Sequence, residues 1–254
     1  MPRDTSLAPV EARVEALNAR YRHHAAAPVL EHALRDPEVG RVALVSSFGA
    51  ESVVLLHLIS VMAPQTPVLF VDTMMLFPET LEYQRELSAR LGLRDVRVIR
   101  AADTALAAHD PDGLLHQSDP DACCALRKTA PLEHALGKFD AWISGRKRFH
   151  GATRAHLEFF EAEEGTGRIK INPLAHWARE DLAEYIINNR LPRHPLVARG
   201  YPSIGCAPCT APASGSDDPR AGRWPGREKT ECGIHFSGGR AVRPGTPATQ
   251  EKTP

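Results

Sequence analysis

The sequence predicts an α/β protein whose parallel sheet carries helices on both faces. Short apolar runs alternate with longer helical segments, and most of these runs end in a polar turn. That alternation is the pattern of βα units feeding a parallel sheet. Length and composition agree with it. The 254 residues suffice for one full α/β domain plus an appendage, and 43% hydrophobic with 24% charged residues is ordinary for a globular chain.

Val10, Val14, Leu17 and Tyr21 recur at helical spacing, so the chain opens with an amphipathic helix. A shorter helix about residues 29–34 completes an N-terminal helical segment, residues 1–40. The first βα unit is a buried strand over 42–45, a turn over 46–51 and an apolar helix over 52–63. A second strand, 68–71, ends in Asp72-Thr73. The helix over 78–91 has Pro78 in its first turn and Gly92 as its stop. A third strand covers 96–99, and 103–118 is weakly patterned. A helix over 121–136 carries two adjacent cysteines, and a strand over 141–144 precedes a basic loop, 145–154. Residues 157–160 and 169–171 form a small β pair, and 179–189 a helix. Beyond residue 191 the chain reads as loop, with 211–226 a Pro-, Gly- and Ser-rich linker. The main domain is therefore 41–210, and 211–254 is a flexible tail. Sheets of this class bind ligands at the carboxyl ends of their strands.

Thirty-one basic and 31 acidic residues give zero formal charge. A protein that wraps nucleic acid shows a basic excess, so anion binding here must be local. The N-terminus lacks the apolar core of a secretory signal, and the longest apolar run, 53–63, is short and broken by His57 and Ser60. The expected location is the cytoplasm, where disulfides are rare and five cysteines point to metal binding or catalysis.

Those cysteines fall as Cys123-Cys124, Cys206-x-x-Cys209 and a solitary Cys232. A Cys-x-x-Cys loop suits zinc or an iron–sulfur cluster. Adjacent cysteines on a helix point about 100° apart, awkward for one tetrahedral ion. A cluster with separated iron corners accepts them, which favours [4Fe–4S] over zinc. Cys232 sits where no apolar periodicity offers it a core, near Arg223, Arg227, Lys229 and His235. Such cations favour the thiolate and mark a nucleophile.

The strand-to-helix turn Ser46-Ser47-Phe48-Gly49-Ala50-Glu51-Ser52 offers hydroxyls and backbone N–H groups as an anion nest. It lacks the Gly-Lys-Ser/Thr ending of a Walker loop. Gly145-Arg146-Lys147-Arg148 and Arg154 follow a strand, where cations are placed for phosphate or sulfate. His23, His24, His57 and His134 show no metal-like grouping.

The turn Ser47-Phe48-Gly49-Ala50-Glu51 resembles the modified PP-loop of the adenosine-phosphosulfate (APS) and phosphoadenosine-phosphosulfate (PAPS) reductases. The likeness continues through Asp72-Thr73 and Leu76-Phe77-Pro78-Glu79-Thr80, then Cys123-Cys124-Ala125-Leu126-Arg127-Lys128 and Trp142-Ile143-Ser144-Gly145. It resumes at Ile204-Gly205-Cys206-Ala207-Pro208-Cys209-Thr210, Arg220-Ala221-Gly222-Arg223-Trp224 and Glu231-Cys232-Gly233-Ile234-His235. The resemblance implies a PP-loop-like (adenine-nucleotide α-hydrolase-like) fold and the cluster-bearing branch, which typically reduces APS; the clusterless branch takes PAPS. It implies Ser47, Gly49, Glu51, Lys128, Arg154, Arg220 and Arg223 as substrate-binding residues. Cys123, Cys124, Cys206 and Cys209 become ligands of a [4Fe–4S] cluster. Cys232 becomes the nucleophile that forms an S-sulfocysteine, with His235 tuning it or meeting AMP. Thioredoxin or glutaredoxin is implied as reductant; neither nucleic acid nor membrane is an expected partner, and the oligomeric state stays open. Two departures stand out: Phe149-His150-Gly151-Ala152 replaces the common Asp-Gln-Ser-Pro, and the spacer before Cys232 is short. A PP-loop ATPase fits less well, since it expects Ser-Gly-Gly-x-Asp-Ser at the turn. A non-catalytic, cluster-binding redox sensor would leave Cys232 dispensable.

Overall fold

The computed structural model describes residues 8–151, 154–213, 215, 218 and 220–227. Its strands are β1 (Val42–Ser46), β2 (Val68–Val71), β3 (Val96–Ile99), β4 (Ala141–Ile143), β5 (Phe160–Glu163) and β6 (Arg168–Ile171). They form one sheet in the order β3-β2-β1-β4-β6-β5, parallel throughout except where β5 runs against β6. The chain winds outward from β1 to β3 and then returns to lay β4 on the other side of β1. The order therefore reverses between β1 and β4, and a crevice opens there at the strands' carboxyl ends.

The helices are α1 (Val10–Tyr21), α2 (Ala26–Ala33), α3 (Ser52–Met62), α4 (Pro78–Leu91), α5 (Asp103–His109), α6 (Leu115–Ser118), α7 (Pro120–Cys124), α8 (Ala130–Leu136) and α9 (Arg179–Asn188). Strand side chains alternate between faces, so each strand feeds two cores. Leu44, Phe70, Ile143 and Ile171 face the larger one, with Leu17 of α1, Leu30 of α2, Leu56 and Ile59 of α3, Leu87 of α4 and Ile186 of α9. Ala43, Leu69 and Trp142 face a smaller one closed by Leu132 and Leu136 of α8. Lys170 extends that second face, its Nζ 4.5 Å from the centre of the Trp142 ring. No helix among the described residues is long and apolar enough to cross a membrane.

Helix α4 begins on Pro78, whose missing N–H costs nothing in a first turn, and stops at Gly92 in the left-handed conformation (φ 64°). Four expectations change. Residues 103–118, read as weakly patterned, form α5 and α6. Neither helix buries a side chain, so it has no apolar stripe for periodicity to report. The helix expected over 121–136 is interrupted by a π turn, Ala125–Thr129, in which Ala130 N donates to Ala125 O. Pro131 has no N–H for the carbonyl of Arg127, which favours such a widened turn. The strand expected over 157–160 starts only at Phe160, because Leu157 N closes a turn onto Arg154 O at 3.0 Å. The stretch 211–226, read as a linker, is instead bonded to the body at its described residues. Ala213 N donates to Gly200 O at 2.9 Å, Trp224 N donates to Cys209 O at 3.0 Å, and Trp224 is buried.

Candidate active site

The crevice between β1 and β4 leads into an open pocket. Its floor is Ser46, Ser47 and Gly49 from the end of β1, with Ser144 and Gly145 from the end of β4. The turn after β1 is shaped by an unexpected residue. Phe48, rather than Gly49, takes the left-handed conformation (φ 48°). A phenylalanine there is strained. Burial of its ring edge-on against Phe70, 5.2 Å between centres, holds it in place. Ser46 Oγ accepts from Phe48 N at 3.2 Å and Ser52 Oγ from Gly49 N at 3.0 Å. Gly49 serves close approach instead: a Cβ there would lie 3.3 Å from Ser47 Oγ and 3.4 Å from Ile204 O.

Cations line this pocket. Lys128, Arg146, Lys147, Arg154, Arg220 and Arg223 all border it, with Glu51 and His150 among them. All seven substrate-binding residues expected from the sequence (Ser47, Gly49, Glu51, Lys128, Arg154, Arg220 and Arg223) therefore surround one cavity. The basic run after β4 divides its charges among three acids. Arg146 pairs with Glu161, Lys147 with Glu51 (2.5 Å), and Arg148 with Glu158 (3.0 Å). Burial alone would raise the Glu51 carboxyl, but Lys147 and His150 outweigh it and hold the acid at about 2. Burial pushes Lys147 the other way, below its ordinary value, against the pull of Glu51. Glu51 is thus an ionised carboxylate neutralised within the protein, which lets an acid stand in an anion pocket.

Behind Lys128 lies a second, apolar cavity lined by Cys123, Cys124, Cys206 and Cys209, with Thr73, Met75, His116 and Arg127. Asp119 caps α7 by accepting from Asp121 N and Ala122 N, and the cysteine pair closes that short helix. The π turn directs Arg127 inward. Its guanidinium donates to Asp110 (2.6 and 3.0 Å) and to Thr73 O (3.2 Å). The Cys-x-x-Cys loop is tied to the loop after β2, since Ala207 N donates to Met75 O and Thr73 Oγ1 lies 3.2 Å from Cys206 Sγ.

These four thiols meet a test of fit. Burial and then the neighbouring Cys124 and Cys206 push the Cys123 thiol up to about 11; burial, Cys206 and Cys124 also raise Cys209. Yet among the described residues no three His, Cys, Asp or Glu side chains are grouped as ligands of one metal ion. By donor type, four thiols around one apolar space suit a thiolate-held centre, zinc or iron–sulfur.

Arg220 and Arg223 reach the pocket from a loop that packs on the cysteine loop. The Arg223 guanidinium lies over Gly205, where a Cβ would collide with it, and over the Trp224 ring at 4.6 Å. Arg227, expected beside Cys232, donates to His116 O at 2.9 Å. Cys232 and His235 lie outside the described residues. Sequence reasoning passed over Asp110, the partner of Arg127, and left His150 unassigned. Only the acidic residue type marked Asp110; its distance along the chain hid the pairing.

An open, cation-lined pocket at the switch point of a mostly parallel sheet sits where α/β proteins bind their ligands. The chain matches the family described as phosphoadenosine phosphosulfate reductase domain over residues 41–212, and it belongs to that family. It is 49% identical over 229 residues to a Mesorhizobium japonicum protein named adenosine 5′-phosphosulfate reductase, covering 90% of this chain and 89% of the relative. A Chelativorans protein of the same name is 47% identical over 233 residues, covering 91% and 94%. Among solved structures, a phosphate complex of phosphoadenylyl-sulfate reductase from Candida auris superposes with a TM-score of 0.68 at 26% identity, covering 82% of this chain and 99% of that one.

Proposed function

We propose that this protein reduces adenosine 5′-phosphosulfate to sulfite and AMP, with Cys232 as nucleophile and a thioredoxin-type dithiol as reductant. One observation carries the reading: Lys128 and Cys206 line both the cationic pocket and the cysteine cavity, so the two sites share a wall. The names of the curated relatives support reduction of adenosine 5′-phosphosulfate.

In this reading Ser47 and the backbone of Gly49 receive the nucleotide's phosphate. Lys128, Arg154, Arg220 and Arg223 neutralise the phosphosulfate, which keeps its sulfur open to an anionic nucleophile. The Cys232 thiolate attacks that sulfur in line. The bond from sulfur to the bridging oxygen breaks, AMP departs with the electron pair, and S-sulfocysteine remains on Cys232. A reductant thiolate then attacks the Cys232 sulfur and sulfite leaves with the bonding pair. The reductant's second thiol resolves the mixed disulfide, so the dithiol is oxidised and Cys232 is restored. His235 tunes Cys232 or meets AMP, and residues 211–254 deliver both. Cys123, Cys124, Cys206 and Cys209 would hold a [4Fe–4S] cluster, which supplies structure and a local electrostatic field rather than electrons. Reliance on free thiols fits a cytoplasmic setting.

The test is anaerobic intact-mass analysis after mixing the protein with APS or PAPS, without reductant. A sulfonate-sized adduct on Cys232, absent in Cys232→Ser and discharged as sulfite by thioredoxin, is the expected result. No adduct from iron-replete protein overturns the reading. Faster loading by PAPS would select the same reaction on the 3′-phosphorylated nucleotide, the alternative favoured by the family's description and the Candida auris match.

A further inference from the structure

His150 stands on a short 3-10 turn, Arg148–His150, at the rim of the pocket. Both its ring nitrogens are engaged. Nε2 lies 2.9 Å from Glu51 Oε2, and Nδ1 lies 3.2 Å from Arg154 Nη1. The chemistry of the partners settles the proton. A guanidinium only donates, so Nδ1 must accept; an ionised carboxylate only accepts, so Nε2 must carry hydrogen. The ring is therefore a neutral imidazole with its proton on Nε2, and a second proton would set N–H against N–H at Arg154. Lys147 Nζ reaches the same Glu51 oxygen at 2.5 Å, and the Phe149 ring meets the imidazole edge-on at 4.5 Å between centres.

We propose that His150 is a positioning residue of the substrate pocket, a neutral relay that fixes the Arg154 guanidinium to Glu51 at the start of α3. Arg154 is buried, and its side chain reaches the pocket from a turn rather than from a strand, so its aim depends on what holds it. Through His150 it is referred to the same turn that offers Ser47 and Gly49. The anion's two ends are then gripped by one connected framework. Burial keeps His150 below its ordinary 6.5, against the pull of Glu51 and with help from Lys147 and Arg154, so the relay persists through neutral pH.

The inference rests on the sulfonucleotide reading above, and its test is separable from that reading. Wild-type turnover of APS comes first; its absence sinks the functional reading alone, because calorimetric binding of inorganic sulfate and AMP still tests the relay. His150→Ala is expected to raise KM, or weaken sulfate binding, by about tenfold or more, with kcat falling less than about threefold. His150→Gln is expected to stay within about threefold of wild type, because one amide offers both an N–H and a carbonyl. Wild-type affinity for APS or sulfate should fall on the acid side, as His150 protonates and loses its acceptor; His150→Gln should lack that limb. Melting curves identify the folded variants. His150→Ala within about twofold of wild type overturns the proposal. So does folded His150→Gln as impaired as His150→Ala, or an acid limb unchanged in His150→Gln.

Discussion

The cationic pocket and the cysteine cavity share a wall yet are built by opposite means. The pocket is furnished with polar groups that already answer one another: Glu51 pairs with Lys147 and accepts from His150, and Ser144 Oγ donates to Asn172 Oδ1 at 2.6 Å. Its floor hangs from the adjacent parallel strands β1 and β4, and loops and the π turn bring its other cations. The cavity gathers four thiols from a helix and a distant loop, and the protein leaves those thiols above their ordinary values at Cys123 and Cys209. Its nearest full charge pair, Arg127 with Asp110, braces the backbone at Thr73. On the function proposed above, the pocket receives a transient anion and is paired without it, whereas the cavity holds a resident group that can supply part of the stabilisation.

Variants that break this contrast fall in order of size. Cys209→Ser is expected to have the largest effect, cutting iron in anaerobically purified protein from about four per chain to under about one, with melting lowered alongside. Iron and acid-labile sulfide assays check it, and zinc in place of iron in the wild type would refute the cluster.

Arg127→Leu comes next. It strands the buried Asp110 carboxylate and should cost about 3–5 kcal/mol in denaturant unfolding. Asp110→Asn added to it should recover part of that loss, whereas strict additivity would show that the two residues do not act as a pair.

The pocket's own pair should show in acid. Glu51 is held at about 2 against an ordinary 4.5, so its contribution is intact above pH 4.5 and is lost as the pH falls toward 2. The amount is on the order of 3 kcal/mol at most. Acid unfolding of Glu51→Gln should lack that portion of the wild-type decline; identical profiles would remove Glu51 from the account.

Gly205→Ala is the smallest and sharpest. The new Cβ meets only the flexible end of Arg223, so melting should move by less than about 2 °C. Displacing that guanidinium should raise KM about fivefold. A large stability loss with unchanged KM would show that Arg223 is a structural brace and not a pocket residue.

Much of this molecule is dictated locally. Short apolar runs such as 42–45 and 68–71, bounded by turn signals, read as buried strands, and Pro78 with Gly92 marks the two ends of a helix. The turn after β1 and the cysteine spacing are equally local, which is why Ser47, Gly49, Glu51 and the four cysteines could be singled out as candidates from the sequence. Tertiary structure decided the rest, because the deciding energies lie between residues far apart in sequence. Phe48 takes its left-handed backbone only because Phe70 receives its ring. Asp110 becomes the brace of the cysteine helix only where α5 ends against the π turn. Residues 220–224, polar and Gly-rich enough to read as linker, are ordered by hydrogen bonds to the cysteine loop and by burial of Trp224. His150, unassigned by spacing, acquires a role only where folding sets Glu51 on one side of its ring and Arg154 on the other. Composition and periodicity determine which segments are buried; charge partners and proton positions depend on distances that exist only in the folded chain.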